Sequence, residues 1–428
     1  MQELFYEQIN ETLFKKQLDN GLMVYIMPKK DFRQTYACFT TRYGSIDRSF
    51  VVPGTDTPIE VPDGIAHFLE HKMFEEEEGD VFTSFARYGA QANAFTTFDA
   101  TTYLFSCTDH VNENLEILLN FVQHPYFTDD NVNKEKGIIA QEIRMYDDNP
   151  NTRVYYGLLE AMFGKHPAGI NIAGTVESIA EITKENLYAC YDTFYHPSNM
   201  ILFVVGDVVP HGIMAQIEAN QTAKNYRRQA TIERTMPPLP AQVHATKVSA
   251  KLAIAQPRVL FGYREDTSDL TSIDRQKHEQ AMGIWMDCVL GKGSALYQAW
   301  LAKGLIDHSF GMNYISNAWY GYSIFGGNTT DPDQLVQRAK EALPKALAVG
   351  IDHEDFLLTK KKAIGQFLQL LDSPQAIANV YTLERVRGFD LFDQLTILQS
   401  LTIDDVHQAM RTHLHEHQFC VSEVLPIS

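Results

Sequence analysis

Two histidines and a glutamate form an H-x-x-E-H motif in the first fifth of the chain. His67 and His71 are four residues apart, so on a helix both imidazoles lie on one face, one turn apart, and can reach the same ion. Zinc suits such a pair because a catalytic zinc site uses three protein ligands and leaves one position for water. Glu70 lies beside this face, where it can act as a base. The motif therefore predicts a zinc-dependent hydrolytic centre whose third ligand comes from another part of the chain.

The elements that must position this motif can be read from the local patterns around it. Pro62, Asp63 and Gly64 lead into the motif helix. Apolar runs typical of strands predict strands at 21–27, 35–41, 91–97 and 101–106. A 3.6-residue period predicts helices at 112–124 and 129–147. The last helix carries Glu135 and Glu142, which are seven residues apart and therefore share a face.

Length and a proline-rich stretch predict two domains. A chain of 428 residues exceeds one ordinary core. The stretch from Thr235 to Ala241 contains three prolines and no period, which is typical of a linker. We therefore expect an N-terminal domain at 1–226 with the zinc site, a linker at 227–248, and a C-terminal domain at 249–428.

The C-terminal half is expected to be a diverged repeat of the first. It shows strands near 246–263 and 308–327 and helices near 268–290, 333–348 and 352–372. Thr183 and Thr402 occupy the same place in two similar stretches, which gives an offset of 219 residues (402 − 183). The same offset sets Met286 against His67 and Leu290 against His71. The second copy therefore keeps an apolar helix without metal ligands.

Composition limits the partners and the compartment. Lys and Arg number 36 against 54 Asp and Glu, a formal charge of −18, which argues against binding to nucleic acid. The longest apolar run, Met200–Val205, is too short to cross a bilayer, and the acidic start does not resemble a signal peptide. Five scattered cysteines without a C-x-x-C motif indicate reduced thiols. We expect a cytoplasmic protein that is not inserted in a membrane.

Two helical histidines can also be an ordinary pair in a core or on a surface, and the surrounding sequence weighs against this alternative. The stretch resembles the inverzincin metallopeptidases, the family of pitrilysin, insulin-degrading enzyme and the mitochondrial processing peptidase. In that family a glutamate ligand follows the motif by roughly seventy to eighty residues, with an acidic residue seven positions before it. Glu142 lies 71 residues after His71 (142 − 71), and Glu135 occupies the earlier position.

Further stretches carry the same resemblance along essentially the whole chain. They are Asn93-Ala94 with Thr96, Asp99-x-Thr101-x-Tyr103, and Gly174-x-x-x-Ser178-Ile179. The length is most similar to that of the short bacterial members that resemble the processing peptidase. The resemblance implies an α+β fold of two homologous domains, each an antiparallel sheet with helices packed on one face, in a clam-shell arrangement.

The resemblance also implies roles for individual residues. His67, His71 and Glu142 would hold Zn²⁺, and Glu70 would be the catalytic base of a metalloendopeptidase. Glu135 would hydrogen-bond a ligand histidine. In addition, Asn93 and Ala94 would bind the backbone of a peptide substrate. For Asn93 the alternative is a strand-edge side chain that hydrogen-bonds its own backbone.

The C-terminal half departs from the family pattern at two positions. Active members use an Arg and a Tyr from this half to bind substrate and stabilise the oxyanion. Leu301 stands where Arg is expected, and Asp307 or His308 where Tyr is expected. We expect a different family subunit to supply the missing pair in a heterodimer. There are two alternatives: a homodimer active by itself, in which His308 or other groups replace the missing pair, and a structural or scaffold subunit without turnover.

Overall fold

The computed structural model describes residues 1–77, 79–227, 229 and 231–427. Its strands are β1 (Gln2–Tyr6), β2 (Glu11–Gln17), β3 (Met23–Pro28), β4 (Thr35–Thr41), β5 (Ser49–Val51), β6 (Pro58–Glu60), β7 (Glu75–Glu76), β8 (Gly79–Asp80), β9 (Gln91–Thr96), β10 (Thr101–Cys107), β11 (Met200–Gly206), β12 (Lys247–Leu252), β13 (Arg258–Asp266), β14 (Gly311–Ser316), β15 (Tyr320–Asn328) and β16 (Phe419–Pro426).

The α-helices interleave with these strands. They are α1 (Ile65–Lys72), α2 (Val81–Arg87), α3 (Val111–Phe121), α4 (Asp129–Asp147), α5 (Pro150–Phe163), α6 (Val176–Ala180), α7 (Lys184–Phe194), α8 (Pro210–Lys224), α9 (Ser272–Leu290), α10 (Ala295–Ala302), α11 (Pro332–Val349), α12 (His353–Leu370), α13 (Pro374–Val386), α14 (Asp393–Ser400) and α15 (Ile403–His413). Among the described residues, no helix is both long enough and apolar enough to cross a membrane.

Two compact units divide the chain. The first contains Met1–Ile143, Asn171–Met236 and Leu368–Val386, and the second contains Arg144–Ile170, Pro237–Phe367 and the segment from Arg387 onward. Each unit has one main sheet. The first sheet has the strand order β1-β2-β3-β11-β4-β10-β9, and the second has the order β12-β16-β13-β15-β14.

The two sheets share one topology, which confirms the predicted two-domain α+β fold. The order β3-β11-β4-β10-β9 of the first sheet matches the five strands of the second, position by position. Each sheet is antiparallel except for one parallel pair, β11 with β3 and β16 with β12. The helices α7 and α15 begin with the same reciprocal cap. The hydroxyl of Thr183 or Thr402 accepts a hydrogen bond from the backbone of the third helical residue, whose side chain accepts one from the threonine backbone. The offset of the repeat is therefore correct.

Helices cover both faces of each sheet, whereas the sequence predicted helices on one face. In the first unit, Cys38 Sγ of β4 lies 3.6 Å from Thr382 Oγ1 of α13. Thr41, on the opposite face of the same strand, donates a hydrogen bond to the carbonyl of Phe194 in α7. In the second unit, the adjacent β15 residues Tyr322 and Ser323 hydrogen-bond Tyr155 of α5 and His413 of α15, respectively, and therefore lie on opposite faces. Both α5 and α13 lie in the unit formed mostly by the other half of the chain. Burial on both faces explains why β4 and β11 are buried at every position.

The predicted boundaries at 1–226, 227–248 and 249–428 stay a prediction. Residues 228 and 230 of the predicted linker, and residue 428, lie outside the described residues. One of the points at which the chain passes from the first compact unit to the second, between Met236 and Pro237, lies inside that stretch. The five cysteines are free thiols, of which Cys288 is partly exposed and the other four are buried.

Candidate metal centre

A glycine turn starts the helix that carries the two histidines. Gly64 precedes α1 with a φ of 90°, a conformation that a side chain disfavours, and a Cβ there would lie 2.5 Å from the carbonyl oxygen of Ala173. Ser178 Oγ donates a 2.8 Å hydrogen bond to the carbonyl oxygen of Asp63 in the same turn. The family-like stretch that contains Gly174 and Ser178 therefore braces the start of the motif helix.

One face of α1 anchors the helix and another presents the imidazoles. Phe68 and Leu69 are fully buried, which stabilises the fold by roughly 1.5–3 kcal/mol for each side chain. The side chains of His67 and His71 keep 12% and 27% of their surface exposed. Their ring centroids lie 4.6 Å apart. The four-residue spacing therefore sets both imidazoles side by side, as the sequence predicted.

Glu142 of α4 brings a carboxylate to the same place. Its Oε1 lies 3.8 Å from His67 Nε2, and its Oε2 lies 3.6 Å from His71 Nε2. One ligand atom from each of the three residues falls within 4.8 Å of the other two, and this is the group of that kind found among the described residues. All three belong to the first compact unit.

The donor set fits a zinc ion. Two imidazole nitrogens and one carboxylate oxygen are the ligands of a catalytic site that keeps one position open. Burial, and then the neighbouring His71, lower the pKa of His67 to about 4, so this imidazole is neutral and its Nε2 lone pair can coordinate at neutral pH. Its Nδ1 is buried without a hydrogen-bond partner among the described residues.

Glu135 orients His71 from the side opposite Glu142. Glu135 Oε1 lies 3.1 Å from His71 Nδ1, so a proton on Nδ1 is held there and Nε2 is left for a ligand role. Burial alone would raise the pKa of Glu135, but the hydrogen bond with His71 and the charges of His71 and Lys72 outweigh it and lower the pKa. For His71, burial lowers the pKa, while the bond to Glu135 and nearby carboxylates raise it overall.

Glu70 is buried on the inner side of α1 and is held by a strand residue. Thr96 Oγ1 of β9 donates a hydrogen bond of 2.5 Å to Glu70 Oε2. Burial raises the pKa of Glu70, and the bond from Thr96 opposes this only in part. A carboxylate with a raised pKa is better matched to accepting and returning a proton near neutral pH. The sequence indicated Thr96 as part of a family-like stretch, but it gave no sign of this contact.

Asn93 and Ala94 lie on β9, which is one of the two edge strands of the first sheet. Asn93 is exposed, and its Oδ1 accepts a 2.9 Å hydrogen bond from the backbone of Ala94. Because side chains alternate along a strand, Ala94 shares a face with Thr96, and Asn93 lies on the other face. The substrate-binding role of both residues stays a prediction.

The second unit shows what occupies the positions where Arg and Tyr were expected. Leu301 lies in α10 and is partly exposed. Asp307 accepts hydrogen bonds from the backbone of Ser309 at 2.8 Å and from Asn328 Nδ2 at 3.1 Å. His308 is exposed. Asp307 therefore has a structural role in its turn and cannot donate a phenolic proton as a Tyr would.

A cavity of about 760 Å³ adjoins the site. Its wall includes His71, Glu135, Glu75 and the stacked rings of Phe74 and Phe82, whose centroids are 4.5 Å apart. Lys72 is fully buried behind this wall. The H-x-x-E-H motif gave no reason to expect a role for Lys72.

Comparison with known proteins gives the same assignment over the whole chain. Residues 60–176 match the family Insulinase (Peptidase family M16), and residues 181–362 match the family Peptidase M16 inactive domain. The chain is 46% identical over 423 residues to the uncharacterized zinc protease YmfH of Bacillus subtilis. The aligned region covers 99% of each chain.

Solved structures extend the comparison to the fold. The crystal structure of an M16-like peptidase from Alicyclobacillus acidocaldarius is 42% identical, with a TM-score of 0.93 over 97% of this chain and 99% of that one. A protease from Helicobacter pylori has the same fold, with a TM-score of 0.81 at 20% identity over 97% and 99% of the two chains. The protein belongs to peptidase family M16, the insulinase family, as the resemblance of its H-x-x-E-H stretch predicted.

Proposed function

We propose that the protein is a zinc-dependent endopeptidase that hydrolyses peptides or extended protein segments. The observation that carries the proposal is the convergence of His67, His71 and Glu142 within 4.8 Å, with the buried Glu70 on the same helix. These three residues would hold the ion. When bound, zinc supplies a Lewis acid that lowers the pKa of water and polarises a carbonyl group.

The residues of the chain then divide the remaining work. Glu70 accepts a proton from the attacking water and returns it to the leaving amine. Thr96 holds the Glu70 carboxylate by a hydrogen bond to Oε2. Glu135 keeps the proton of His71 on Nδ1, so that Nε2 faces Glu142. All of these groups belong to one compact unit, on α1, β9 and the part of α4 that precedes Arg144.

The edge strand β9 suggests how a substrate would lie. An extended peptide can add to an exposed sheet edge through main-chain hydrogen bonds, which favours unfolded segments and tolerates varied side chains. Ala94 would take part through its backbone carbonyl, because its N–H already donates to Asn93 Oδ1. Since Asn93 Oδ1 already accepts a bond from Ala94, Asn93 would contact the substrate through its Nδ2 amide.

We also propose that a second, different subunit completes the site. Leu301 and Asp307 cannot supply the positive charge and phenolic donor that active relatives use. A heterodimer in which a partner brings these two groups is favoured over a homodimer that works alone. Full peptidase activity of the purified chain by itself would contradict the heterodimer.

The second candidate function is a non-catalytic scaffold subunit. It is favoured by the same two departures, Leu301 and Asp307, and opposed by the complete set of metal-binding residues. A cytoplasmic location stays part of the proposal and is tested by cell fractionation.

Zinc content and peptide cleavage test the proposal together. We expect about one zinc per chain and cleavage of an unstructured peptide library, lost with chelator and restored by zinc. The assay is run on the chain alone and on the complex purified from its native host. Stoichiometric zinc without cleavage in either preparation would support the scaffold, and absence of zinc would contradict both the metal centre and the peptidase.

A further inference from the structure

Lys72 is a fully buried lysine next to a proposed zinc ligand. It is the last residue of α1, and none of its side chain is exposed. Its Nζ donates a hydrogen bond to Glu75 Oε2 and lies 3.7 Å from Glu135 Oε2. Lysine is almost never buried without a paired carboxylate, because desolvating an ammonium group is costly. The hydrolytic roles proposed above leave this group without a function.

Glu135 is engaged at both of its oxygens. Its Oε1 meets His71 Nδ1 at 3.1 Å, and its Oε2 faces the ammonium group of Lys72. A carboxylate held at both oxygens cannot rotate freely about its last bond. The orientation of Glu135 in turn sets the ring of His71, whose Nε2 lies 3.6 Å from Glu142 Oε2. A continuous chain of polar contacts thus runs from Lys72 to the place where the metal would lie.

We propose that Lys72 is a positioning residue of the metal centre, which acts on His71 through Glu135. The inference rests on the proposed function in one respect, that His67, His71 and Glu142 hold the ion. Lys72 does not touch the substrate or the ion. Its contribution is to hold the Glu135 carboxylate toward His71.

Charge balance gives the reason. Glu75 and Glu135 both line the cavity beside His71, and both reach the same ammonium group from its wall. Without the positive charge, the Glu75 and Glu135 carboxylates would lose the cation that both of them reach and would repel each other. Glu135 would then turn from its present position, and His71 would lose the partner that orients it.

A purely structural role makes a different prediction. Lys72 also ties the end of α1 to β7 through Glu75. If that were its whole function, replacing Lys72 would lower the stability of the fold without a specific effect on metal affinity. Metal affinity, rather than activity or stability, therefore separates the two roles.

The test is a double-mutant cycle on zinc affinity, measured by competition with a chelator of known affinity. Lys72→Met keeps most of the side-chain volume and removes the charge. We expect zinc to bind roughly tenfold or more weakly in Lys72→Met. In a Glu135→Gln background, the same replacement should change the affinity by less than about twofold, because its route of action is already lost.

A spectroscopic readout and a matched control accompany the cycle. The visible absorption bands of the Co²⁺-loaded protein report ligand geometry, and they should change in Lys72→Met and in Glu135→Gln in a similar way. Lys29→Met is the control, because Lys29 also forms a largely buried ion pair, with Glu11, in the same unit. It should lower stability and leave zinc affinity and the Co²⁺ bands unchanged. If Lys72→Met does not fold, Lys72→Gln, whose amide can still donate to a carboxylate, takes its place and should also bind zinc more weakly than the wild type.

The outcomes separate this inference from the proposed function. Wild-type zinc affinity in a folded Lys72 variant, or an undiminished effect of Lys72→Met in the Glu135→Gln background, would overturn the role of Lys72 alone. A wild-type chain that binds no zinc would overturn the proposed metal centre, and the role of Lys72 with it.

Discussion

Thr96 Oγ1 donates a hydrogen bond of 2.5 Å to Glu70 Oε2, and this bond joins the edge strand β9 to the helix that carries both histidines. The two residues are separated by 26 positions in the chain. A charge-assisted bond of this kind holds a carboxylate in one orientation. The position of the proposed base therefore depends on the same strand whose edge is proposed to bind the substrate.

Replacing Thr96 by Val should lower kcat by roughly tenfold to a hundredfold, because small misplacement of a catalytic group is costly. Zinc content should stay at the wild-type level, since Thr96 is not among the proposed ligands. Steady-state kinetics on a fluorogenic peptide and metal analysis measure the two quantities in the same preparation. Thr96→Ser keeps the hydroxyl group and should retain most activity. A Thr96→Val variant as active as the wild type would show that the bond does not position Glu70.

Replacing Glu70 by Gln should remove most of the hydrolytic activity and leave zinc bound. The amide has nearly the same shape but cannot accept the proton, which costs roughly a hundredfold to ten-thousandfold in rate. Peptide cleavage and zinc content are compared with those of Glu181→Gln, a matched change at an exposed site. Hydrolysis at the wild-type rate in Glu70→Gln would exclude Glu70 as the base.

The turn that starts the motif helix should not tolerate a side chain. Gly64 has a φ of 90°, and a Cβ would come within 2.5 Å of Ala173 O. Gly64→Ala should therefore lower the free energy of unfolding by about 2 kcal/mol or more and weaken zinc binding. Urea denaturation and chelator competition measure these effects.

Gly137 provides the matched control for that substitution. It lies exposed inside α4, and a Cβ there would meet no atom within 4 Å. Gly137→Ala should raise the free energy of unfolding by up to about 1 kcal/mol, because alanine is the better helix former. Equal effects of the two substitutions would contradict the role assigned to the Gly64 turn.

A buried carboxylate in the second unit should make stability sensitive to acid. Glu265 Oε1 lies 2.9 Å from His278 Nε2 and 3.0 Å from His413 Nδ1, and it accepts a hydrogen bond from the hydroxyl of Tyr314. Burial alone would raise the pKa of Glu265, but the charge of His413 and the bonds from both histidines lower it well below the ordinary 4.5. The folded state therefore binds this proton more weakly than the unfolded state does.

The sign of the pH effect follows from that difference. The stabilisation is complete above the unfolded pKa of about 4.5 and is lost as the pH falls from there toward the lower folded value. Glu265→Gln should cost roughly 3 kcal/mol or more near neutral pH, because it breaks a buried charged cluster. The difference in melting temperature between wild type and variant should shrink on acidification below about pH 4.5. A difference that stayed constant or grew in acid would contradict the assignment.

Local patterns in the sequence determined much of the proposed site. The four-residue spacing of His67 and His71 required only that the segment be helical, and α4 extends from Asp129 to Asp147 as its period predicted. The second copy of the repeat likewise followed from the chain alone, since Thr183 and Thr402 cap equivalent helices. Such features depend on neighbours a few residues away, which the sequence displays directly.

Only the tertiary structure decided which distant side chains meet. No periodic pattern in the sequence indicates the hydrogen bond from Thr96 to Glu70 or the burial of Lys72 against Glu75 and Glu135. The same holds for α5 and α13, each of which belongs to the unit formed mostly by the other half of the chain. Each depends on how whole helices and sheets pack, and packing is set by many long-range contacts at once. The sequence therefore determined which residues could bind a metal, and the packing decided how their carboxylates and imidazoles are held.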